Sequence, residues 1–212
     1  MAVALLVFPC NGNGLEALDC LGEGFHMLGF VDDDEDKQRT SAHGYPVWGR
    51  QVLAAYPEAQ VLAVPGSPTS FRARRRQIES LDLPPQRYAQ VVHPDARISP
   101  RARLGRNVLV MAGVVVSGSA VVGDHVCLLP NSVVHHDVLV GDWTLVGSNV
   151  TIAGGTTVGE NCYIGSGTSL KNGLHIGEGT LVGLGSTVVR DTLAGSVVAG
   201  NPARIMGPSS WS

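Results

Sequence analysis

The chain has few aromatic residues, few charged residues and no closely paired cysteines. Aromatic residues make up 5% and charged residues 16% of the 212 residues, and the formal net charge is −3. A disordered chain combines low hydrophobicity with high net charge, and the 44% of hydrophobic residues excludes that class. The lack of excess positive charge excludes a strongly basic nucleic-acid binder. A core with so few rings must be filled mainly by aliphatic side chains.

The cysteines and the apolar runs exclude further classes. The four cysteines, which form no C-x-x-C pair, are Cys10, Cys20, Cys127 and Cys162. This spacing offers neither a zinc ribbon nor a redox motif, so we expect no bound metal. Every apolar run is far shorter than the roughly 18 residues of a membrane span, and the N-terminal segment lacks the basic start of a signal peptide. We therefore expect a cytoplasmic protein with reduced thiols and no membrane span.

Glycine, by contrast, is abundant, with 27 residues, and many of them follow a repeat in the second half. Every sixth residue from 98 to 188 is Ile, Leu or Val. The sixteen positions are Ile98, Leu104, Val110, Val116, Val122, Leu128, Val134, Val140, Val146, Ile152, Val158, Ile164, Leu170, Ile176, Val182 and Val188. The next residue is often glycine, and the fourth residue after each aliphatic is small or β-branched. A period of six fits neither a helix nor an alternating strand.

This period predicts a three-sided solenoid. Each short strand points its aliphatic residue inward, a glycine turn follows, and three such units make one coil of 18 residues. Coils would stack at the strand spacing of about 4.8 Å, with an internal ladder that contains Val116, Val134, Ile152, Leu170 and Val188. The residue types resemble the hexapeptide repeat of left-handed parallel β-helices, an exception to right-handed crossovers. An antiparallel sandwich is the alternative, and it would require the unbroken spacing to be coincidental.

The first part of the chain has a different pattern. It carries 8 Lys/Arg and 11 Asp/Glu in residues 1–91, against 7 and 7 in residues 92–212. Apolar runs predict strands near 3–8, 27–31 and 61–64, and helical spacing covers 15–21 and 71–81. This order favours a small parallel sheet. We therefore predict a mixed fold: a Rossmann-like α/β domain over 1–91, which binds the substrate, followed by a left-handed parallel β-helix over 92–212 with a C-terminal closing segment.

One stretch of the repeat is strongly polar. His135, His136 and Asp137 follow Val134 in a turn, where side chains can leave the prism. A histidine beside a carboxylate is a general-base arrangement, because imidazole titrates near neutrality and the acid fixes its tautomer. Taken by itself, the tripeptide favours the alternative that these are solvated polar residues on the surface.

The repeat, the segment NSVVHHDVLVGD and the closing VVAGNPARI together resemble the bacterial acetyl-CoA-dependent nucleotide-sugar N-acetyltransferases. The family includes enzymes of the bacillosamine and perosamine type and is similar to sialic acid O-acetyltransferases. The resemblance implies a homotrimer that transfers the acetyl group of acetyl-CoA directly to the amino group of a nucleotide-linked amino sugar. It implies His136 as the base, Asp137 as its support and the Gly154 N–H as the oxyanion donor, with His135 at a variable position.

The resemblance also implies a binding site for coenzyme A between neighbouring prisms. The residues it places beside the cofactor are Leu145, Gly165, Ser166, Gly183 and Leu184. Leu145 departs from relatives that carry a histidine there. Arg204 is expected to meet a CoA phosphate or, as an alternative, to be a surface arginine at the end of the helix.

The acceptor pocket is expected in the N-terminal domain. The residues that the resemblance assigns to it are Asn11, Gly12, Asn13, Asp32, Asp33, Gly66 and Ser67. Relatives carry a glycine- and histidine-rich first turn where this chain has asparagines, so UDP, GDP and dTDP remain open as the nucleotide. Three other functions are alternatives: O-acetylation of a sugar hydroxyl, a purely structural solenoid and a γ-carbonic-anhydrase-like zinc hydratase. The last needs a His-x₄-His step that the solenoid lacks.

Overall fold

The computed structural model describes residues 2–206, so Met1 and the last six residues of the predicted second domain lie outside the described part. The N-terminal region contains a five-stranded sheet in the order β3-β4-β2-β1-β5. Its strands are β1 (Val3–Phe8), β2 (Phe25–Val31), β3 (Ser41–Ala42), β4 (Tyr45–Trp48) and β5 (Gln60–Ala63). All pairs are parallel except β3 with β4. The three predicted strands are therefore present, each within two residues of its expected bounds.

Short helices connect these strands. They are α1 (Gly12–Glu16), α2 (Val52–Ala55) and α3 (Arg74–Glu79), with 3₁₀ turns at Ala17–Cys20, Lys37–Arg39, Phe71–Ala73 and Pro85–Arg87. Helix α1 begins earlier than the helical spacing predicts because Oδ1 of Asn11 caps it, accepting a hydrogen bond from Gly14 N at 3.0 Å. Strands β3 and β4 were not predicted, because glycine and proline interrupt their apolar pattern. Within residues 2–206, none of the helices has the length and apolar character needed to cross a bilayer.

The second region is a three-sided parallel β-helix. Its first face consists of β7 (Arg97–Ile98), β10 (Val115–Val116), β13 (Val133–Val134), β16 (Thr151–Ile152), β19 (Ser169–Leu170) and β22 (Thr187–Val188). Its second face consists of β8 (Arg103–Leu104), β11 (Val121–Val122), β14 (Leu139–Val140), β17 (Thr157–Val158) and β20 (His175–Ile176). Its third face consists of β6 (Val91–Val92), β9 (Leu109–Val110), β12 (Cys127–Leu128), β15 (Leu145–Val146), β18 (Tyr163–Ile164), β21 (Leu181–Val182), β23 (Val197–Gly200) and β24 (Ala203–Ile205).

The predicted internal ladder is confirmed. Val134 pairs with Val116 below and with Ile152 above, and the series continues through Leu170 to Val188. All sixteen sixth-position aliphatics are buried except Ile98 and Leu104, which are partly buried at the first coil. The repeat therefore packs one continuous aliphatic core, which needs no aromatic ring.

The polar residues of the repeat have a structural use as well. Hydroxyl groups at the fourth position donate to a carbonyl fifteen residues ahead, in the next coil. Examples are Ser132 to Gly147 O at 2.6 Å, Thr144 to Gly159 O at 3.0 Å and Thr156 to Lys171 O at 2.9 Å. These bonds satisfy buried polar atoms that would otherwise destabilise the core.

Three corners join the faces. Corner A connects the first face to the second and includes residues 135–137; corner B connects the second to the third and includes 141–143; corner C connects the third back to the first and includes 147–149. Each corner contains a residue with left-handed backbone, such as Asp137 (φ 59°), Trp143 (φ 57°) and Asn149 (φ 55°). Asn, Asp and Gly tolerate this conformation best, which explains much of the glycine content.

The N-terminal sheet packs on the third face. One buried cluster joins Val64 and Phe71 of the N-terminal region to Leu109, Cys127 and Leu145 of the β-helix. Strand β6 straddles the predicted domain boundary at 91/92, because Val91 and Val92 pair with Leu109 and Val110 on that face. In a triangular prism, the corner opposite the third face is corner A. The N-terminal region therefore covers the side of the prism that faces away from residues 135–137.

Candidate active site

His136 and Asp137 form a pair at corner A. Nδ1 of His136 lies 2.8 Å from Oδ2 of Asp137, and both side chains are exposed. Because a carboxylate only accepts hydrogen bonds, this contact places the ring proton on Nδ1 and leaves Nε2 free to accept a proton. The left-handed backbone of Asp137 turns its side chain back toward the preceding residue. The predicted partnership of these two residues is therefore present in the geometry.

Gly154 lies one coil above His136. The carbonyl of His136 accepts a hydrogen bond from Gly155 N at 3.0 Å, which fixes the stacking of the two coils. A Cβ built on Gly154 would lie 2.6 Å from Nε2 of His136, so only glycine leaves room for the ring. Within residues 2–206, the Gly154 N–H makes no hydrogen bond. The imidazole Nε2 therefore lies beside a residue whose backbone donor is unpaired within the described residues.

His135 differs from its neighbour. Its backbone N–H donates to Ile152 O at 3.0 Å as part of the ladder between coils. Within the described part of the chain, its ring forms no hydrogen bond or ion pair. The geometry therefore separates the two adjacent histidines.

A cavity of about 360 Å³ lies where the N-terminal sheet meets the third face. Its lining residues are Asn11, Gly12, Asn13, Gly66, Ser67, Pro68, Leu129, Leu145, Gly147 and Tyr163. We call it the junction pocket. It contains five of the seven residues predicted to hold the nucleotide sugar, and it lies at the carboxyl ends of β1 and β5, where open parallel sheets bind ligands.

Asparagine side chains hold the turns of the junction pocket. Nδ2 of Asn13 lies 3.4 Å from both Val64 O and Gly66 O, so it connects the turn after β1 to the turn after β5. Gly66 has a φ of 123°, and a Cβ on it would lie 2.8 Å from Cδ1 of Leu145. Glycine is therefore required there, both by the backbone and by the close approach of the third face.

Asp32 and Asp33 do not line the junction pocket, contrary to the prediction from the sequence. Asp32 is 5% exposed, and its Oδ2 accepts hydrogen bonds from Cys10 N at 2.9 Å and Lys37 Nζ at 3.0 Å. Asp33 forms a bidentate pair with Arg50, with distances of 2.6 and 2.7 Å. Asp32 therefore stabilises the turn that precedes the pocket residues, and Asp33 forms its ion pair with Arg50 on the surface.

Leu145 also departs from its expected place. It is 4% exposed and packs beneath Gly66 in the junction pocket, whereas the resemblance placed it against coenzyme A. The pocket extends to Gly147 of corner C, where Ser148 N donates to Oγ of Ser166 at 3.0 Å. Gly165 and Ser166 therefore lie one coil above this end of the pocket, without being among its lining residues.

The other predicted cofactor residues lie higher on the prism. Gly183 is one coil above Gly165, and its close packing against Ala199 leaves no room for a side chain. Leu184 is 71% exposed at corner C. Arg204 lies on the antiparallel strand β24, where it pairs with Ala199, and its side chain is exposed. Corner C thus presents a glycine-rich edge with one exposed leucine.

Four lining residues of the junction pocket were not predicted from the sequence: Pro68, Leu129, Gly147 and Tyr163. Leu129 and Gly147 stand 18 residues apart in one ladder, and Tyr163 stands 18 residues above Leu145 on the third face. The 18-residue period would have identified Tyr163 once Leu145 was assigned to the pocket, and Leu129 once Gly147 was assigned. The 18-residue period is visible in the sequence, whereas the contact between the third face and the N-terminal sheet is not.

The cysteines are unsuited to nucleophilic catalysis. All four are buried and free. Burial raises the pKa of Cys20 to about 12 and that of Cys162 to about 11, so these thiols stay protonated at neutral pH. Within residues 2–206, no group of three or more His, Cys, Asp and Glu side chains is arranged to hold a metal ion.

Comparisons with known proteins agree with this geometry. The family model of the bacterial transferase hexapeptide, with six repeats, matches residues 119–154. The chain is 27% identical to a histidine-to-alanine variant of GDP-perosamine N-acetyltransferase from Caulobacter crescentus, solved with CoA and GDP-perosamine, with 98% of each chain covered and a TM-score of 0.85. It is 28% identical to the acetyltransferase domain of PglB from Neisseria gonorrhoeae, solved with acetyl coenzyme A, with 97% of this chain and 100% of that chain covered and a TM-score of 0.84.

WeeI from Acinetobacter baumannii, at 23% identity and a TM-score of 0.80 over 97% of this chain and 100% of that chain, shares the fold. No curated protein sequence gives a significant match. The repeat, the prism and these similarities define the class: the chain is an acyltransferase that resembles the hexapeptide-repeat, left-handed β-helix enzymes. Its resemblance to the sugar N-acetyltransferases, drawn from the sequence, is confirmed over nearly the whole chain.

Proposed function

We propose that this protein transfers the acetyl group of acetyl-CoA to the amino group of a nucleotide-linked amino sugar. The observation that carries the proposal is the corner A geometry, in which the His136 ring is paired with Asp137 and its Nε2 lies against Gly154, whose N–H makes no hydrogen bond within residues 2–206. The GDP-perosamine enzyme, similar over 98% of both chains, acts on such a substrate. Since acetyl-CoA is the acetyl donor, we expect the reaction to take place in the cytoplasm.

Each residue at corner A has one task in this proposal. His136 accepts a proton at Nε2 as the sugar amine attacks the thioester carbon, and Asp137 stabilises the imidazolium that forms. The Gly154 N–H donates to the oxyanion of the tetrahedral intermediate. When the C–S bond breaks, His136 returns its proton to the departing thiolate. The products are the acetamido sugar and free CoA, with no acyl-enzyme.

The prism separates the two halves of the proposed site within one chain. The junction pocket lies against the third face, and His136 lies at the opposite corner. The packed core of the prism, with sides on the order of 20 Å, lies between them, so a sugar bound in the pocket would have to pass around the prism to bring its amine to His136 of the same chain. We therefore propose a homotrimer, in which corner A of one subunit meets the junction pocket and corner C of the next.

The test is a thiol-release assay with purified protein. The acceptors are amino sugars linked to GDP, UDP and dTDP, together with the matching sugars that carry a hydroxyl in place of the amine. We expect release of CoA with one amino-sugar nucleotide and no release with its hydroxyl analogue. Release with the hydroxyl analogue alone would replace the proposal by O-acetyl transfer, and release with neither would reject the assignment of the acceptor.

Light scattering gives a separate test of the assembly. The proposal predicts a particle of three chains, with activity that falls when the assembly is diluted to its subunits. A monomer with full activity would overturn the shared site, because one chain would then complete the reaction alone.

A further inference from the structure

Arg74 is a buried cation behind the junction pocket. It begins helix α3, yet its side chain is 0% exposed, in contrast to the exposed Arg75 and Arg76 that follow it. Its Nη1 donates to Pro65 O, and its Nη2 donates to His125 O at 2.6 Å. These contacts connect the turn after β5 to corner B of the β-helix.

The charge of Arg74 has no carboxylate partner. Within residues 2–206, no Asp or Glu lies within ion-pair distance of the guanidinium, and its Nε makes no hydrogen bond. The third contact is Sγ of Cys127, 3.3 Å from Nη2. Burying a cation without a counter-charge is costly, and a methionine of similar size would avoid that cost. The arrangement therefore indicates that the positive charge of Arg74, and not only its volume, contributes to function.

One backbone turn separates the Arg74 guanidinium from the junction pocket. A Cβ built on Gly66 would lie 3.7 Å from Cδ and 3.9 Å from Nη1 of Arg74, so only the turn of residues 65–67 separates the charge from the pocket. Among the lining residues that the structure describes there is no Lys or Arg. Lys37, which lies near the same end of the sheet, is paired with Asp32 at 3.0 Å.

We propose that Arg74 is a positioning residue whose charge acts through the Pro65–Ser67 turn to select a diphosphate-linked acceptor. This inference rests on the proposed function, which places a nucleotide sugar in the junction pocket. An anion in the pocket would supply the counter-charge that the guanidinium lacks. The same charge would favour a nucleoside diphosphate over the corresponding nucleoside, because low dielectric strengthens the attraction across the turn.

The test measures binding of GDP, UDP and dTDP, and of guanosine, uridine and thymidine, by calorimetry. The variants are Arg74→Met, which removes the charge at similar volume, and Arg74→Lys, which retains it. For the nucleotide that the wild type binds, we expect Arg74→Met to weaken the diphosphate roughly 10- to 100-fold and the nucleoside less than threefold. Arg74→Lys should recover most of the diphosphate affinity. Arg76→Met removes an equal charge from the exposed face of the same helix and should change neither affinity.

The outcomes separate the inference from the function on which it rests. If the wild type binds none of the six compounds, the proposed function fails before any variant is compared. If Arg74→Met weakens diphosphate and nucleoside equally, Arg74 only shapes the turn, and the charge proposal is overturned. A second measurement uses the wild type alone: the preference for diphosphate should persist in 0.5 M salt, since a buried charge is poorly screened. Loss of the preference there would assign it to exposed cations instead.

Discussion

Corners A and B of the same prism each present a histidine, and the two have opposite environments. His136 at corner A is exposed and paired with Asp137. His125 at corner B is half-buried under the N-terminal region, where its ring stacks on Trp143 with centroids 5.6 Å apart. Burial, assisted by the nearby charge of Arg74, lowers the pKa of His125 to about 4. The two histidines belong to corners of the same repeat, and burial under the N-terminal region lowers the pKa of the one at corner B.

The largest expected effect is the loss of His136. In the His136→Ala variant, the imidazole beside Gly154 is lost, and with it the proposed acceptor for the proton of the sugar amine. General-base catalysis typically contributes about 10²–10⁴-fold, so kcat should fall by that range while acetyl-CoA still binds. Steady-state kinetics and a titration with CoA measure the two quantities separately.

The control for this experiment is the adjacent histidine. His135→Ala removes an imidazole of the same type from a position whose ring makes no polar contact within residues 2–206. Its kcat should stay within about twofold of the wild type. If this variant lost as much activity as His136→Ala, the base would have to be reassigned to His135.

The next effect concerns the space above the ring. Gly154→Ala places a methyl group where a contact of 2.6 Å with Nε2 of His136 would result, so the imidazole must move away from the Gly154 N–H. We expect kcat to fall roughly 10- to 100-fold, less than the roughly 10²–10³-fold typical for loss of an oxyanion donor, because the N–H is retained and only the imidazole is displaced; the melting temperature should not change. Gly118→Ala is the matched control one coil below His136, because its methyl group meets only the flexible end of exposed Arg101. Equal losses in both variants would contradict the special role of Gly154.

Asp137→Asn should have a smaller effect. Asparagine tolerates the left-handed backbone at this position, so the corner is retained. The amide no longer supplies a negative charge to the imidazolium, and exposed ion pairs contribute only about 1 kcal/mol or less. We therefore expect kcat to fall by less than about tenfold. A loss as large as that of His136→Ala would mean that Asp137 does more than orient and stabilise the ring.

The smallest effect is on stability, at corner B. The pKa of folded His125, about 4, lies below the ordinary value of 6.5, so the unfolded chain binds more protons between these values. Stability should therefore decrease as the pH falls from about 6.5 to about 4, where Asn107 Nδ2, 3.0 Å from His125 Nδ1, can no longer donate to a protonated ring. Melting curves across this range should show a shallower decline for His125→Asn. If the melting temperature of the variant declined with pH as steeply as that of the wild type, other titratable groups would be responsible for the loss of stability at low pH.

The β-helix was largely predictable from the sequence, and the site only in part. Sixteen aliphatics at a fixed spacing specify strands, coils and ladder at once, because each coil contacts only its neighbours. The pairing of His136 with Asp137 is equally local. The sequence did not indicate the burial of Asp32, Leu145 and Arg74, because their environments depend on contacts between segments that are distant in the chain. Such contacts leave no periodic trace.

The placement of the junction pocket opposite corner A has a consequence for inheritance. In the proposed trimer, every complete site combines the pocket of one subunit with the histidine of its neighbour. A chain that lacks its histidine would still present an intact pocket, and a chain with a blocked pocket would still present its histidine. Two defective alleles of these different kinds, expressed together, would therefore assemble some working sites, although neither allele alone could support the reaction.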